Sequence, residues 1–206
     1  KGATIAVQGI GNVGSHTALN LQKLGGKIVA VCEWNGSVYD ENGLDIAALV
    51  AYMRQNKKIV GFPGSKEITK EEFFALPVDI LVPAALENQI TAEVAETIKA
   101  RLVCEAANGP TTLDGDEVIN KKGLLLTPDI LTNAGGVTVS YFEWVQNLYG
   151  YYWTEKEVEE KEERAMVEAF NAIYAIKEEF NVSMREAAYM FSVKKVAAAM
   201  KVRGWY

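Results

Sequence analysis

The chain has 206 residues, of which 49% are hydrophobic and 23% are charged, and its net charge is −6 at pH 7. This length suits one good-sized domain, or one domain with an appended subdomain, and the apolar content supplies a full core, which excludes a disordered chain. The balance of 27 acidic against 21 basic residues argues against a nucleic-acid partner, which needs clustered lysine and arginine. No apolar run reaches the roughly 18–20 residues of a membrane span. No signal-peptide pattern is present either, so we expect a cytoplasmic protein without a membrane partner.

Two cysteines and one histidine leave little scope for metal chemistry. Cys32 and Cys104 lie inside apolar runs, which predicts buried free thiols in a reducing compartment rather than a disulfide. Because cysteine and histidine do not cluster, the sequence predicts no metal site.

Short apolar runs alternate with amphipathic stretches, which is the pattern of βαβ units in a mainly parallel sheet. Strands are predicted at 4–7, 27–32, 79–82, 102–104 and 124–126. Helices are predicted at about 13–24, 44–55, 91–100 and 114–122, and a capping box formed by Thr69 and Glu72 opens a short one. Residues 35–43, rich in Asn, Gly and Asp, are predicted to form a loop.

After residue 131 the chain becomes predominantly helical. Thr154-x-x-Glu157 and Ser183-x-x-Glu186 are capping boxes that predict two long helices, separated near Asn181. The predicted fold class is therefore α/β: a Rossmann-like, doubly wound, mostly parallel sheet with helices on both faces and a helical C-terminal extension.

The most specific local pattern is Gly9-Ile10-Gly11-Asn12-Val13-Gly14, which follows a predicted strand and opens a predicted helix. In this context the G-x-G-x-x-G pattern is typical of dinucleotide binding. Gly9 allows the tight turn, Gly11 lets the backbone approach a pyrophosphate, and Gly14 allows close packing of helix on strand. A plain strand–helix turn is the alternative.

Glu33 stands at the end of the second predicted strand, roughly 20 residues after Gly14. A carboxylate there accepts hydrogen bonds from the adenosine ribose and repels a 2′-phosphate. The following residues, 34–37, include no Lys or Arg to hold such a phosphate. The sequence therefore favours NAD over NADP, although a solvated loop acid remains an alternative for Glu33.

Three later segments carry a resemblance to a known family: Pro83-Ala84-Ala85-Leu86-Glu87-Asn88, Glu105-Ala106-Ala107-Asn108-Gly109-Pro110-Thr111-Thr112, and Asn133-Ala134-Gly135-Gly136-Val137-Thr138-Val139-Ser140-Tyr141-Phe142-Glu143-Trp144. With the glycine motif, they resemble the cofactor domain of the hexameric glutamate dehydrogenases, in the glutamate/leucine/phenylalanine/valine dehydrogenase superfamily. The resemblance extends over the whole chain.

This resemblance implies a role for each matching residue. The pyrophosphate would be bound by the glycine loop, that is by Gly9, Gly11, Asn12, Val13 and Gly14, and the adenosine ribose by Glu33. Ala84 and Ala85 would line the cofactor cleft, and Asn108 would contact the nicotinamide end. Asn133 would lie near the nicotinamide and the substrate, Val137 would line the substrate side-chain pocket, and the Ser140 hydroxyl would bind the distal carboxylate of the substrate. From the residues alone, Asn133 also suits a helix N-cap and Ser140 an ordinary helix hydroxyl.

The implied organisation is a single cofactor domain, with a dinucleotide-binding core at 1–150 and C-terminal helices at 151–206 that pack on the core and form the hinge side. The implied reaction is the oxidative deamination of L-glutamate to 2-oxoglutarate and ammonia by hydride transfer to NAD. The family's catalytic lysine and aspartate belong to an N-terminal substrate domain, and no Lys-Gly-Gly segment occurs in this chain. We therefore expect no catalytic residue here, and binding of NAD(H) without turnover.

The resemblance also implies a homo-hexamer for the full enzyme, whereas this piece alone is expected to be a monomer or dimer. One alternative is the cofactor domain of a branched-chain or aromatic amino-acid dehydrogenase, against which the Ser140 hydroxyl argues. The other is a non-catalytic NAD-sensing module, which would need the nucleotide site but neither Val137 nor Ser140.

Overall fold

A computed structural model describes residues 1–205, which divide into one unit at Lys1–Leu126 and a second from Thr127 onward. This division falls earlier than the boundary at residue 150 that the sequence suggested. The helix that ends at that boundary, Ala134–Tyr149, packs with the helices on either side of it and so belongs to the second unit.

The first unit is organised around a sheet. Its strands are β1 (Thr4–Gln8), β2 (Lys27–Glu33), β3 (Gly36–Tyr39), β4 (Lys66–Ile68), β5 (Ile80–Pro83), β6 (Leu102–Cys104) and β7 (Leu125–Thr127). They are ordered β4-β3-β2-β1-β5-β6-β7. β1 pairs in parallel with β2 and β5, and β5 with β6, whereas β2-β3 and β3-β4 are antiparallel. The α/β class is confirmed.

The predicted loop at 35–43 was wrong for residues 36–39, which form β3. Ser37 and Val38 are buried there, and β3 turns back antiparallel on β2. A strand this short, next to several glycine, asparagine and aspartate residues, has too little alternation to stand out from a loop. β4 was likewise not anticipated.

Helices cover both faces of the sheet. They are α1 (Asn12–Lys23), α2 (Ile46–Asn56), α3 (Lys70–Phe74), α4 (Ala92–Thr97) and α5 (Leu113–Lys121). Alternation along β1 sends Ile5 and Val7 into a cluster that includes residues of α1 and α2. Ala6 instead joins a cluster that includes Phe73 and Phe74 of α3 and residues of α4 and α5. The capping box of Thr69 and Glu72 at α3 is confirmed.

The second unit contains α6 (Asp129–Thr132), α7 (Ala134–Tyr149), α8 (Glu155–Phe180) and α9 (Met184–Val202). The capping boxes that begin at Thr154 and Ser183 are both confirmed, and the residue that caps the C-terminus of α8, Asn181, is in the left-handed conformation. Within residues 1–205 no helix combines the length and apolar character that a membrane span requires.

Both cysteines are free thiols, as predicted. Cys32 is buried, and burial raises the pKa of its thiol. Cys104 is only partly buried, which corrects the expectation that both would be fully enclosed.

Candidate functional site

A cavity of about 980 Å³ lies where β1, β2 and β5 end. In an open α/β sheet, ligands bind outside the carboxyl ends of the strands. Most of the predicted cofactor residues line this cavity: Gly9, Gly11, Asn12, Val13, Glu33, Ala84 and Ala85. Gly14 packs behind the loop, as described next.

The three glycines of the loop meet different surroundings. Gly9 has φ +88°, and a Cβ there would lie 2.8 Å from the carbonyl oxygen of Ala84. A Cβ on Gly14 would overlap the carbonyl oxygen of Gly9 and lie 2.8 Å from its carbonyl carbon. At Gly11 a Cβ would meet nothing within 4 Å. Gly9 and Gly14 are therefore required by the fold, whereas Gly11 keeps open a space that a ligand can enter.

The same loop leads into α1. Gly11 is the N-cap of α1 and makes no side-chain capping bond, and the first turn of α1 carries no acidic residue. The backbone N–H groups of the first turn of α1 and the positive end of the helix dipole therefore suit an anion. These features fit the diphosphate of a dinucleotide.

Glu33 links the end of β2 to the glycine loop. Its Oε1 accepts a hydrogen bond from the backbone N–H of Ile10 at 2.6 Å. The side chain is half-buried and lines the cavity. The hydrogen bond from Ile10 therefore fixes the Glu33 carboxylate at the cavity wall, so Glu33 is not a solvated loop acid. Its second oxygen receives only a 3.4 Å approach from the backbone N–H of Trp34.

Two of the motif segments lie side by side after β5 and β6. The N–H of Asn88 donates to the carbonyl of Gly109 at 2.8 Å, and the N–H groups of Ala106 and Ala107 donate to the carbonyl of Pro83 at 3.0 and 2.9 Å. Asn108 is exposed on this loop and is not among the residues that line the cavity.

The predicted substrate residues belong to the second unit. Asn133 is half-buried at the N-cap of α7, where its side chain makes no capping hydrogen bond. Val137 is 71% exposed, and Ser140 is also exposed. Their spacing of four and three residues puts these side chains on one face of α7.

Several cavity residues were missed by the sequence reasoning: Gln8, Cys32, Ser37, Lys70 and Gln89. Gln8 could have been found, because it is a polar residue at the end of a buried strand, directly before Gly9. Lys70 and Gln89 reach the cavity from α3 and from the loop after β5, which only the fold brings together. Within residues 1–205, no group of three His, Cys, Asp or Glu side chains is arranged to hold a metal ion.

Comparison with known proteins gives consistent results. A family model described as glutamate/leucine/phenylalanine/valine dehydrogenase matches residues 1–204. The NAD-specific glutamate dehydrogenase of Clostridioides difficile is 68% identical over all of this chain and 50% of that protein. That of Peptoniphilus asaccharolyticus is 57% identical over 99% of this chain and 50% of that protein. The chain thus spans about half the length of these relatives.

Solved structures agree with the sequence comparison. The crystal structure of glutamate dehydrogenase from Peptoniphilus asaccharolyticus matches 99% of this chain and 48% of its own, with a TM-score of 0.85 and 52% identity. A hetero-hexameric glutamate dehydrogenase from Thermus thermophilus, in its leucine-bound form, matches 100% of this chain and 49% of its own, with a TM-score of 0.92 and 31% identity.

Proposed function

The chain belongs to the glutamate/leucine/phenylalanine/valine dehydrogenase family, and on that premise we propose that it is the cofactor-binding part of an NAD-dependent glutamate dehydrogenase. The observation that carries this proposal is the open space at Gly11, beside a cavity of about 980 Å³ that also contains Glu33. The names of the relatives from Clostridioides difficile and Peptoniphilus asaccharolyticus support both NAD and glutamate.

In this proposal the first unit holds the dinucleotide. The backbone of Gly9, Gly11, Asn12, Val13 and Gly14, with the N-terminus of α1, binds the pyrophosphate. Glu33 accepts hydrogen bonds from the adenosine ribose through lone pairs that Ile10 leaves available, and its charge disfavours a 2′-phosphate. Ala84 and Ala85 provide small side chains at the cavity wall, and Asn108 serves the nicotinamide end. NAD, when bound, supplies the hydride acceptor.

The second unit supplies the residues that face the substrate in this proposal. Asn133, Val137 and Ser140 share one face of α7, as a set of groups serving one ligand requires. A hydroxyl at Ser140 suits a side-chain carboxylate, because a carboxylate accepts its hydrogen bond and an aliphatic side chain cannot. We therefore place glutamate before leucine or an aromatic amino acid as substrate.

The chain by itself should bind NAD(H) without turning over glutamate. Hydride transfer needs a substrate held against the cofactor and proton transfer groups at the reacting carbon. By the family resemblance those groups, a lysine and an aspartate, belong to the substrate domain, and this chain spans about half of its relatives. The full protein would assemble as a homo-hexamer, and this piece as a monomer or dimer.

Calorimetric titration of the 206-residue chain with NADH and NADPH tests the cofactor proposal. We expect saturable binding with NADH tighter than NADPH. Absence of NADH binding would contradict the cofactor assignment. Rapid glutamate oxidation by this chain alone would contradict the proposal that the proton transfer groups belong to the substrate domain. A full-length protein that oxidises leucine in preference to glutamate would instead identify the branched-chain alternative.

A further inference from the structure

A row of three side chains crosses the sheet beside the glycine loop. Gln8 is the register partner of Cys32 on β2, and Cys32 is the partner of Ser37 on β3. All three line the cavity, and each is at least 97% buried, with exposures of 3%, 2% and 1%. Glu33, which follows Cys32 on β2, lines the same cavity.

The carboxamide of Gln8 is only half satisfied. Its Nε2 donates to the Oε1 of Gln89 at 3.0 Å. Its Oε1 is buried and has no hydrogen-bond partner. Buried polar atoms are nearly always paired, so an unpaired acceptor in the wall of a large cavity points to a donor that arrives with a ligand.

Neighbouring groups determine that this unpaired atom is an oxygen. The Nζ of Lys70 donates to the Oε1 of Gln89 at 2.9 Å, and the Nε2 of Gln89 donates to the backbone carbonyl of Glu87 at 3.0 Å. An ammonium group only donates and a carbonyl only accepts, so neither end of the Gln89 amide can be exchanged. Since the Gln89 oxygen must then receive an N–H from Gln8, the oxygen of Gln8 is left as the free acceptor.

The nature of this acceptor limits what it can recognise. Pyrophosphate oxygens only accept hydrogen bonds, so they cannot satisfy the Gln8 oxygen. The adenosine ribose hydroxyls are the groups proposed for Glu33. Within the adenosine half of a dinucleotide, this leaves the exocyclic amine of adenine as the N–H donor.

We propose that Gln8 recognises the adenine base by accepting a hydrogen bond from its exocyclic amine at Oε1, and that Lys70 is a positioning residue that acts through Gln89 to fix this acceptor. The inference rests on the proposed binding of NAD(H). The proposed hydrogen bond makes the site selective for adenine over a base that carries a carbonyl oxygen in place of the amine. With such a base, the Gln8 Oε1 and the carbonyl oxygen would be two acceptors facing each other.

The test compares NADH with the reduced hypoxanthine analogue, in which that amine is replaced by oxygen. Both ligands contain the same reduced nicotinamide, so the same fluorescence assay measures the affinity of each ligand in a separate titration. The unaltered chain should bind the hypoxanthine analogue about tenfold or more weakly. If NADH itself does not bind, the proposed function fails. If both ligands bind equally, only the adenine assignment fails.

Substitutions examine the two ends of this chain of contacts, Gln8 and Lys70. Gln8→Met keeps the side-chain length but removes the acceptor, so the two affinities should come within about twofold of each other. Lys70→Met removes one of the two groups that fix the Gln89 amide and leaves only the carbonyl of Glu87, so it should reduce the ratio of the two affinities in part while NADH still binds. Lys70→Arg keeps a cation that can only donate hydrogen bonds, so it should preserve the ratio of the two affinities.

Lys66→Met is the matched control, because Lys66 is an exposed cation on β4 that does not line the cavity. It should leave the ratio unchanged. A ratio that falls equally in Lys66→Met and Lys70→Met would show a general charge effect and overturn the positioning role. Because Lys70 is exposed, its variants test the proposal even if Gln8→Met fails to fold.

Discussion

Alanine substitutions at Gly11 and Gly14 should separate ligand binding from folding in the glycine loop. Both residues belong to the same motif, but a Cβ at Gly14 would overlap the carbonyl of Gly9, whereas a Cβ at Gly11 would meet nothing within 4 Å. The same chemical change therefore has two different physical consequences three residues apart.

The expected magnitudes follow from these surroundings. At Gly14 the obstacle is backbone, which cannot rotate away, so overpacking costs roughly 1–3 kcal/mol. Alanine recovers part of this, at most about 1 kcal/mol, as a better helix former. We expect Gly14→Ala to lower the free energy of unfolding by about 1–2 kcal/mol, and to weaken NADH binding because the loop must shift.

Gly11→Ala should behave differently. Gly11 has φ −68°, which alanine adopts without strain, and loss of glycine at an N-cap costs only about 0.5 kcal/mol. The new methyl group, however, enters the space proposed for the diphosphate. We expect near-normal stability with NADH binding weakened by about tenfold or more.

Urea unfolding and NADH titration of both variants measure the two effects. Gly136→Ala is the control, because its Cβ also meets nothing within 4 Å and it lies inside α7, where alanine should raise stability by roughly 0.5–1 kcal/mol. Normal NADH binding by Gly11→Ala would refute the assignment of the loop. Unchanged stability of Gly14→Ala would refute the steric reasoning.

Three further predictions concern cofactor choice, helix capping and pH. Glu33→Ser should weaken NADH binding about tenfold and raise NADPH affinity relative to NADH, measured by titration, because the variant loses the ribose acceptor and the negative charge. Lys122→Met should lower the free energy of unfolding by about 1–2 kcal/mol in urea, because its Nζ donates to three carbonyls at the end of α4, at 2.7–2.9 Å. The backbone N–H and hydroxyl of Thr4 hold the pKa of Asp79 below its usual range, so Asp79→Asn should be less stable than the parent at pH 7, by a margin that shrinks below about pH 4 in melts across pH.

Each of these has a clear contrary result. Unchanged affinities for both cofactors in Glu33→Ser would mean that the carboxylate does not face the ribose. Lys121→Met, which removes only an exposed pair with Glu117, should cost less than about 0.5 kcal/mol, and an equal loss in both lysine variants would argue against capping by Lys122. The ionised carboxylate of Asp79 contributes stability that is lost as the pH falls through its lowered pKa. A loss of stability in Asp79→Asn that does not change with pH would therefore contradict the role of this charge.

The features that the sequence predicted correctly depend on neighbours along the chain. The capping boxes that begin at Thr69, Thr154 and Ser183 each join residues three positions apart. The turn at Gly9 and the helix that follows it are equally local. Such interactions leave a periodic or spaced pattern that can be read directly.

Only the tertiary structure decided how the cavity is completed. β3 became a strand because β2 offered it a partner, not because residues 36–39 show a strand pattern. The bond from Ile10 to Glu33 spans 23 residues, and that from Gln8 to Gln89 spans 81. Lys70 reaches Gln89 from a different element. Hydrogen bonds between residues far apart in the chain produce no recognisable spacing pattern in the sequence, because only the folding of the sheet brings their partners within reach.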